Sequence, residues 1–381
     1  MNSKYFDNAA TTRTKEEIIN VMLPYYKTEF GNPSSMYTLG RYAKRAIDNA
    51  RKNVADLINS NHNEIYFTSG GSESDNTAIR GIAYKYQEKG KHIITSKIEH
   101  PAILNSCRKL EEEGFTVTYL NVDNEGKIDL DELRKRIDND TILISIMFAN
   151  NEIGTLEPIK EISKIAKENN IIFHTDAVQG AGNMPIDVKE LGIDLLSISG
   201  HKLYGPKGIG ALYVKEGIEF ENIIYGGHQE KGKRAGTENV AGIVGLGEAC
   251  KLANENLNTH MKYLKKLRNY YIQEVKRRIP KVILNGAIED RLPGNANFSF
   301  EGVEGTSILL KLDEIGISAS SGSACSTGNP NPSHVLTAIG LNEEQAKSAL
   351  RITFGEDNTI EDVDYLIKNL ERIIKELRSW S

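Results

Sequence analysis

The chain has 381 residues, of which 39% are hydrophobic and 26% are charged, and its formal net charge is -5. This composition is typical of a soluble globular protein, and the length predicts two domains rather than one small core. The negative charge gives no general attraction for nucleic acid or for an anionic membrane, so we expect neither partner. No apolar leader opens the chain and no run reaches the roughly 18 apolar residues of a membrane span, so we expect a cytoplasmic protein.

The chain contains three cysteines, Cys107, Cys250 and Cys325. They are too few and too scattered for a disulfide framework or a metal knuckle, so a functional cysteine here would act as a thiol. Cys107 and Cys250 fall in helical patterns, which favours ordinary packing residues.

The first part of the chain predicts an α/β domain with a mainly parallel sheet. A helix is predicted from about Thr14 to Tyr26, and Gly31-Asn-Pro-Ser-Ser then reads as a turn. Beyond it, apolar strand-like runs alternate mostly with amphipathic helical stretches, and in such a sheet ligands gather at the carboxyl ends of the strands. The predicted strands are 64–68, 92–96, 116–120, 141–147, 171–176, 193–198 and 209–214.

Two motifs follow predicted strands in the first half of this domain. Gly71 and Ser72 lie between the first strand and a helix, where free backbone amides favour an anion, although Ser-x-x-Glu is also a plain capping box. His100 precedes Pro101 at a helix start, a position where a histidine is usually structural.

The central motif places Lys202 in a turn between two predicted strands. The turn reads Ser199-Gly-His-Lys-Leu-Tyr-Gly-Pro-Lys-Gly, and its glycines allow backbone to approach a ligand. A lysine there suits a Schiff base to an aldehyde cofactor, whereas a lone loop lysine would be a surface charge. Asp176, near the end of the preceding strand, has the position of a carboxylate that pairs with a protonated pyridine nitrogen.

The last third of the chain has a different pattern of predicted elements. A glycine-rich basic loop around residues 225–239, which could simply be a surface loop, is followed by a polar helical stretch at 253–279. Strands are then predicted near 281–284 and 296–300, and helices near 304–315 and 359–378. We therefore expect a second, smaller α+β domain.

Two residues of this second domain are candidates for chemistry. Cys325 lies in a run of small turn-forming residues that offers no apolar packing, so reactivity explains the cysteine better than burial does. Arg351 lies on a short predicted strand, where a guanidinium suits the carboxylate of an amino acid, with a structural salt bridge as the alternative.

These motifs together resemble a known family. His174-Thr-Asp-Ala-Val-Gln, the Lys202 turn and Ser321-Gly-Ser-Ala-Cys are similar to motifs of the group I cysteine desulfurases, which are class-V aminotransferase-like, fold-type I pyridoxal phosphate enzymes. The resemblance runs from Phe6 to about Leu370. It implies a fold-type I pyridoxal-phosphate-dependent transferase, with a cofactor-binding large domain at 13–255 and a small domain at 256–381 joined by segment 1–12.

The resemblance also implies roles for individual residues. Lys202, His100 and Cys325 would be catalytic, Asn32 and Arg351 would bind the L-cysteine substrate, and Thr237 would reach the cofactor phosphate of the partner subunit in a homodimer. The remaining cofactor contacts would come from Gly71, Ser72, His100, Asn151, Asp176, Gln179, Ser199, His201 and Lys202. Two positions depart from the family pattern: Tyr37 stands near the place of a usual histidine, and Gly71-Ser72 replaces a frequent Ala-Thr.

The resemblance implies that Cys325 receives sulfur as a persulfide and passes it to an iron-sulfur scaffold protein or another acceptor. The sequence leaves open whether Cys325 would also be a transient metal-cluster ligand shared with that scaffold. A selenocysteine lyase, an aminotransferase and a binding scaffold without catalysis are the alternatives. The sequence leaves open whether the sulfur serves nitrogenase, general cluster assembly or tRNA thiolation.

Overall fold

The computed structural model describes residues 4–321 and 332–379; residues 1–3, 322–331 and 380–381 lie outside the described part. Its strands are β1 Lys4–Tyr5, β2 Ile65–Thr68, β3 His92–Ser96, β4 Thr116–Leu120, β5 Thr141–Ser145, β6 Ile172–Asp176, β7 Leu195–Ser199, β8 Gly210–Val214, β9 Val282–Leu284, β10 Asn295–Phe300, β11 Ile317–Ser318 and β12 Ala349–Thr353. Its helices are α1 Glu16–Met22, α2 Pro24–Lys27, α3 Thr38–Leu57, α4 Gly71–Tyr86, α5 Pro101–Glu112, α6 Leu130–Arg136, α7 Ile159–Glu168, α8 Val188–Leu191, α9 Val240–Arg278, α10 Gly305–Asp313, α11 His334–Ala338, α12 Glu343–Lys347 and α13 Ile360–Arg378.

The predicted α/β architecture is confirmed by a seven-stranded sheet of order β2-β8-β7-β6-β5-β3-β4. Strand β8 runs antiparallel to both of its neighbours, and the other pairs are parallel. All seven strand-like runs of the sequence become strands of this sheet. Strands β3, β5 and β7 are buried along their whole length, as expected where helices cover both faces of a sheet.

The flanking helices follow from the spacing of their apolar residues. In α7, for example, Ile159, Ile162 and Ile165 recur at helical spacing and are all buried against the sheet. The single helix predicted from about Thr14 to Tyr26 is wrong in one respect, because two helices, α1 and α2, occupy this stretch. The second begins at Pro24, whose missing amide hydrogen suits the first position of a new helix.

A second group of elements is built around the antiparallel sheet β12-β10-β9. Its core contains Phe298, Leu350 and Leu366, and it also takes in Phe6 from the N-terminal segment. Strand β1 pairs in parallel with β11, so this segment is attached to the second sheet. Within the described residues, no helix is both long and apolar enough to cross a bilayer.

Helix α9 connects the two groups as one continuous element of 39 residues. Its first part contributes Leu246 and Cys250 to the core beneath the large sheet, and its second part contributes Leu267 and Tyr271 to the core of the second sheet. The division between 13–255 and 256–381 therefore falls inside a helix, and it stays a prediction.

Candidate active site

A cavity of about 220 Å³ opens beyond the carboxyl ends of the central strands, between the large sheet, the N-terminal segment and β12. Asp176 is the last residue of β6 and Ser199 the last of β7, so the topology alone delivers both side chains to this edge. Ten residues named from the sequence line the cavity: Gly71, Ser72, His100, Asn151, Asp176, Gln179, Ser199, His201, Lys202 and Arg351.

Lys202 lies in a single helical turn, Gly200–Lys202, directly after β7. Its Nζ donates hydrogen bonds to the carbonyl oxygens of Ala9 at 2.5 Å and Ala10 at 2.7 Å. Gln179 Nε2 donates to the Ala9 carbonyl as well, at 3.0 Å. The N-terminal segment therefore holds the side chain of Lys202, which the sequence predicts to be catalytic, in one position.

The same segment also fixes the neighbours of this lysine. His201 Nδ1 lies 3.1 Å from Thr11 Oγ1, and Thr12 Oγ1 donates to the His201 carbonyl. Tyr204, two residues beyond the lysine, has a φ of 58°, a left-handed conformation that costs a non-glycine residue energy. Its amide donates to Thr12 Oγ1 at 2.8 Å, which helps to hold the turn in place.

Asp176 and Asp75 form a pair of buried carboxylates at the base of the cavity. Burial raises the pKa of both, and the charge of Asp176 raises the pKa of Asp75 further. His100, the Val178 amide and Lys202 lower the pKa of Asp176. The ionisable neighbours that favour the charged form therefore act on Asp176 rather than on Asp75.

His174 lies behind this pair, and it is completely buried. Its Nδ1 is 2.9 Å from Ser145 Oγ, and its Nε2 is 3.1 Å from Ser197 Oγ. Burial lowers the pKa of His174 to about 3, so the imidazole is neutral and both nitrogens are hydrogen-bonded.

His100 is the N-cap of α5, where its Nδ1 accepts a hydrogen bond from the Ala102 amide at 3.1 Å. Burial lowers the pKa of His100, and the neighbouring Lys202 and His334 lower it further against the opposing effect of Asp176. Because Nδ1 is an acceptor, the neutral ring carries its proton on Nε2.

The start of α4 faces the cavity with Gly71 and Ser72. The N-cap, Gly70, has no side chain to accept from the first amides, although Glu73 Oε2 accepts from the amide of Ser69, the residue before the N-cap. A Cβ atom at position 71 would lie only 2.7 Å from Val178 Cγ2. The arrangement leaves amides for an anion and little room for a larger residue.

Arg351 points from β12 into the cavity wall and is 1% exposed. Its Nη2 donates to Asp7 Oδ1 at 2.8 Å and its Nη1 to the Asn151 carbonyl at 3.0 Å. Its Nε is buried and has no partner among the described residues. The salt bridge that the sequence left as an alternative is therefore present, and the contacts named here use only part of the five N–H donors of the guanidinium.

The structure does not bring every predicted residue to this cavity. Asn32 is exposed, and its Oδ1 accepts from the Ser34 amide, so this chain's own cavity lacks it. Thr237 is also exposed and is not one of the residues that line the cavity. Cys325 lies outside the described residues. Within 4–321 and 332–379, no three His, Cys, Asp or Glu side chains form a group that could hold a metal.

Several lining residues were missed by the sequence analysis. Glu99 is fully buried and accepts from Ser96 Oγ and the Met147 amide; burial raises its pKa to about 8. His334 Nε2 lies 3.0 Å from the Glu99 carbonyl oxygen. Asp75 was missed as well, and it is the one of these three that the sequence could have indicated. It follows Gly71 by four positions and therefore lies on the same face of the helix.

Comparisons with known proteins agree with this geometry. The aminotransferase class-V family model matches residues 4–366. The chain is 54% identical over 379 residues to "Cysteine desulfurase IscS" of Clostridium botulinum (strain Hall), and 55% identical over 377 residues to the protein of that name from Dictyoglomus turgidum. Each alignment covers 99% of this chain and 96% of the relative.

Solved structures with the same fold carry related titles. A "NifS-like protein" has a TM-score of 0.93 and 36% identity, covering 98% of this chain and 100% of that one. "SspA in complex with cysteine" has a TM-score of 0.81 and 40% identity, covering 92% of this chain and 99% of that one.

Proposed function

This chain belongs to the class-V aminotransferase family, and from that premise we propose how its own residues catalyse cysteine desulfuration. The reaction is dependent on pyridoxal phosphate and converts L-cysteine to L-alanine. One observation carries the assignment of residues: the described structure gathers Lys202, Asp176, His100 and Arg351 around one cavity.

The cavity fits pyridoxal phosphate on several independent grounds. Lys202 and Asp176 both line it, His100 and Lys202 lower the pKa of Asp176 against the effect of burial, and the start of α4, which has no side-chain cap, offers amides to a phosphate. The bound cofactor supplies an electron sink, which a carboxylate at the pyridine nitrogen sustains. We assign Gly71 and Ser72 to the phosphate.

The remaining lining residues have distinct tasks. Arg351 receives the substrate carboxylate, because it is the buried guanidinium of the cavity wall and retains an unpartnered Nε. Lys202 would hold the cofactor's aldehyde, and its amine would move protons at the substrate. His100 holds a proton on Nε2 beside it, and the Ala102 amide fixes the orientation of its ring.

Cys325 is the acceptor of sulfur in this proposal. The bond between Cβ and sulfur of L-cysteine breaks, and a sulfur-sulfur bond forms on Cys325. The proton of the Cys325 thiol goes to Cβ, so that alanine leaves. Supporting this choice, the other two cysteines of the chain are buried, and burial raises the pKa of Cys107 and of Cys250 to about 12. Neither can form a thiolate near neutral pH.

The test compares Cys325→Ala with the matched controls Cys107→Ala and Cys250→Ala. Alanine and sulfide production from L-cysteine plus a reductant is measured, and the visible absorbance of the cofactor reports its binding. We expect the Cys325 variant to bind cofactor without turnover and both controls to stay active. A mass increase of one sulfur atom on the peptide containing Cys325, formed without reductant, would identify the persulfide.

Full sulfide release by the Cys325 variant would overturn the assignment of the acceptor. In that case the selenocysteine lyase alternative, which needs no thiol at this position, would explain the lysine and aspartate equally well.

We also propose a homodimer in which Thr237 completes the partner's phosphate site, and a sulfur acceptor such as an iron-sulfur scaffold protein, with which Cys325 would transiently share a cluster. The exposure of Thr237 away from its own cavity supports the first idea. Mixing inactive Lys202→Ala with inactive Thr237→Val subunits should restore activity, since one site of the mixed dimer is intact. Equal inactivity of the mixture would contradict shared sites.

A further inference from the structure

The position of Asp7 beside the substrate-binding arginine is fixed by the backbone. Phe6, which precedes it, is fully buried, and the Phe6 carbonyl accepts from the Thr353 amide at 2.8 Å. Asn8, which follows it, donates from Nδ2 to the Thr353 carbonyl at 2.9 Å. Because Thr353 lies two residues after Arg351 on β12, both ends of Asp7 are anchored to the strand that carries the arginine.

The ion pair formed there is largely removed from water. The side chain of Arg351 is 1% exposed and that of Asp7 is 15% exposed, and Nη2 lies 2.8 Å from Oδ1. A buried guanidinium without a counter-charge is strongly unfavourable, so Asp7 neutralises the arginine before any substrate arrives. The substrate carboxylate therefore meets a cation that already has one carboxylate partner.

We propose that Asp7 is a specificity-determining and positioning residue that weakens and orients carboxylate binding by Arg351. It accepts a hydrogen bond from Nη2 while the Asn151 carbonyl accepts one from Nη1, and Nε has no partner on the described residues. Its negative charge repels the incoming carboxylate across the same guanidinium. The product, L-alanine, carries that carboxylate too, so Asp7 also favours its release.

A purely structural role is the competing explanation, and the chain offers a matched control for it. Arg13 and Asp357 form a second arginine-aspartate pair between the N-terminal segment and the second group of elements, with Nη2 and Oδ2 3.0 Å apart. Both of these side chains are exposed, at 80% and 71%, and neither lines the cavity. Asp357→Asn therefore removes an aspartate charge paired with an arginine without touching the proposed site.

The experiment measures binding of L-alanine and of L-alaninamide to the cofactor-loaded enzyme by calorimetry. The amide lacks the carboxylate charge and reports every other change in the site. For Asp7→Asn we expect the dissociation constant of L-alanine to fall about three- to tenfold, as expected for removing a like charge several ångströms away at partial screening. The constant for L-alaninamide should not change. Asp357→Asn should match the parent with both ligands.

The inference rests on the proposed role of Arg351, and one further variant separates the two. If Arg351→Gln binds L-alanine as tightly as the parent does, the role of Arg351 fails. If Arg351→Gln weakens L-alanine and Asp7→Asn leaves it unchanged or weaker, only the inference about Asp7 fails. Asp7→Ser serves as a second neutral variant, and if neither neutral variant folds, Asp7 is a structural counter-ion and the inference is overturned.

Discussion

The buried ion pair between Arg51 and Glu230 allows a quantitative prediction. Strand β2 lies at the edge of the large sheet, and this pair satisfies its outward-facing groups. Arg51 Nη1 donates to the Ile65 carbonyl at 2.7 Å, and Glu230 Oε2 accepts from the Phe67 amide at 2.9 Å. The two side chains also form a double hydrogen bond, at 2.7 Å for each contact. They are 8% and 4% exposed.

We expect Glu230→Ala to lower the free energy of unfolding by about 4–6 kcal/mol. An uncompensated buried guanidinium costs about 3–5 kcal/mol, and the stranded Phe67 amide adds at least about 1 kcal/mol. Urea unfolding followed by circular dichroism measures the change. The double variant Arg51→Met with Glu230→Leu should lose less than Glu230→Ala, because it leaves no charge unpaired.

The control is the exposed pair of Lys160 and Glu190, whose atoms are 2.9 Å apart. Glu190→Ala should cost less than about 1 kcal/mol, since exposed ion pairs contribute little. A Glu230→Ala variant as stable as Glu190→Ala would refute the reasoning, because burial would then not decide the cost of the pair.

Three further predictions concern other buried ionisable groups. Asp176→Asn should lower kcat/KM by about 30-fold or more, because the neutral amide would not pair with a protonated pyridine nitrogen of the cofactor; an unchanged value in steady-state assays would contradict its role. Burial lowers the pKa of His174 to about 3, so its imidazole stays neutral in the folded state at a pH where it is protonated in the unfolded state. The free energy of unfolding therefore falls as the pH falls below about 6.5. In urea titrations at pH 5, His174→Asn should lack about 2 kcal/mol of the acid-induced loss of stability that the parent shows. If the two proteins lose stability equally as the pH falls, His174 is not the group responsible. Burial raises the pKa of Glu157 to about 8, so stability falls as pH rises from about 4.5 towards 8. The free energy of unfolding of Glu157→Gln, relative to that of the parent, should therefore increase by about 2–3 kcal/mol between pH 5 and pH 7. If this difference is the same at both pH values, ionisation of Glu157 does not affect stability.

Much of the large domain could be predicted from local pattern. Strands β3, β5 and β7 are buried along their whole length and are therefore rich in apolar residues, so these runs were visible without knowledge of their neighbours. The order of these strands in the sheet was not visible, because pairing depends on contacts distant in sequence. The break at Pro24 was also missed, since two adjacent helices and one helix share a similar apolar spacing.

The amino-acid sequence by itself determined which side chains could perform the chemistry: Lys202 in its turn, Asp176 at a strand end and Arg351 on a short strand. Side-chain type and local position carry that information for Asp176 and Lys202, because ligands of such a sheet bind at the carboxyl ends of its strands. Only the tertiary structure revealed the part played by the N-terminal segment, whose Asp7 pairs with Arg351 and whose Ala9 and Ala10 carbonyls accept from Lys202. Backbone carbonyls leave no trace in a sequence, and a pair of residues 344 positions apart meets only when the chain folds.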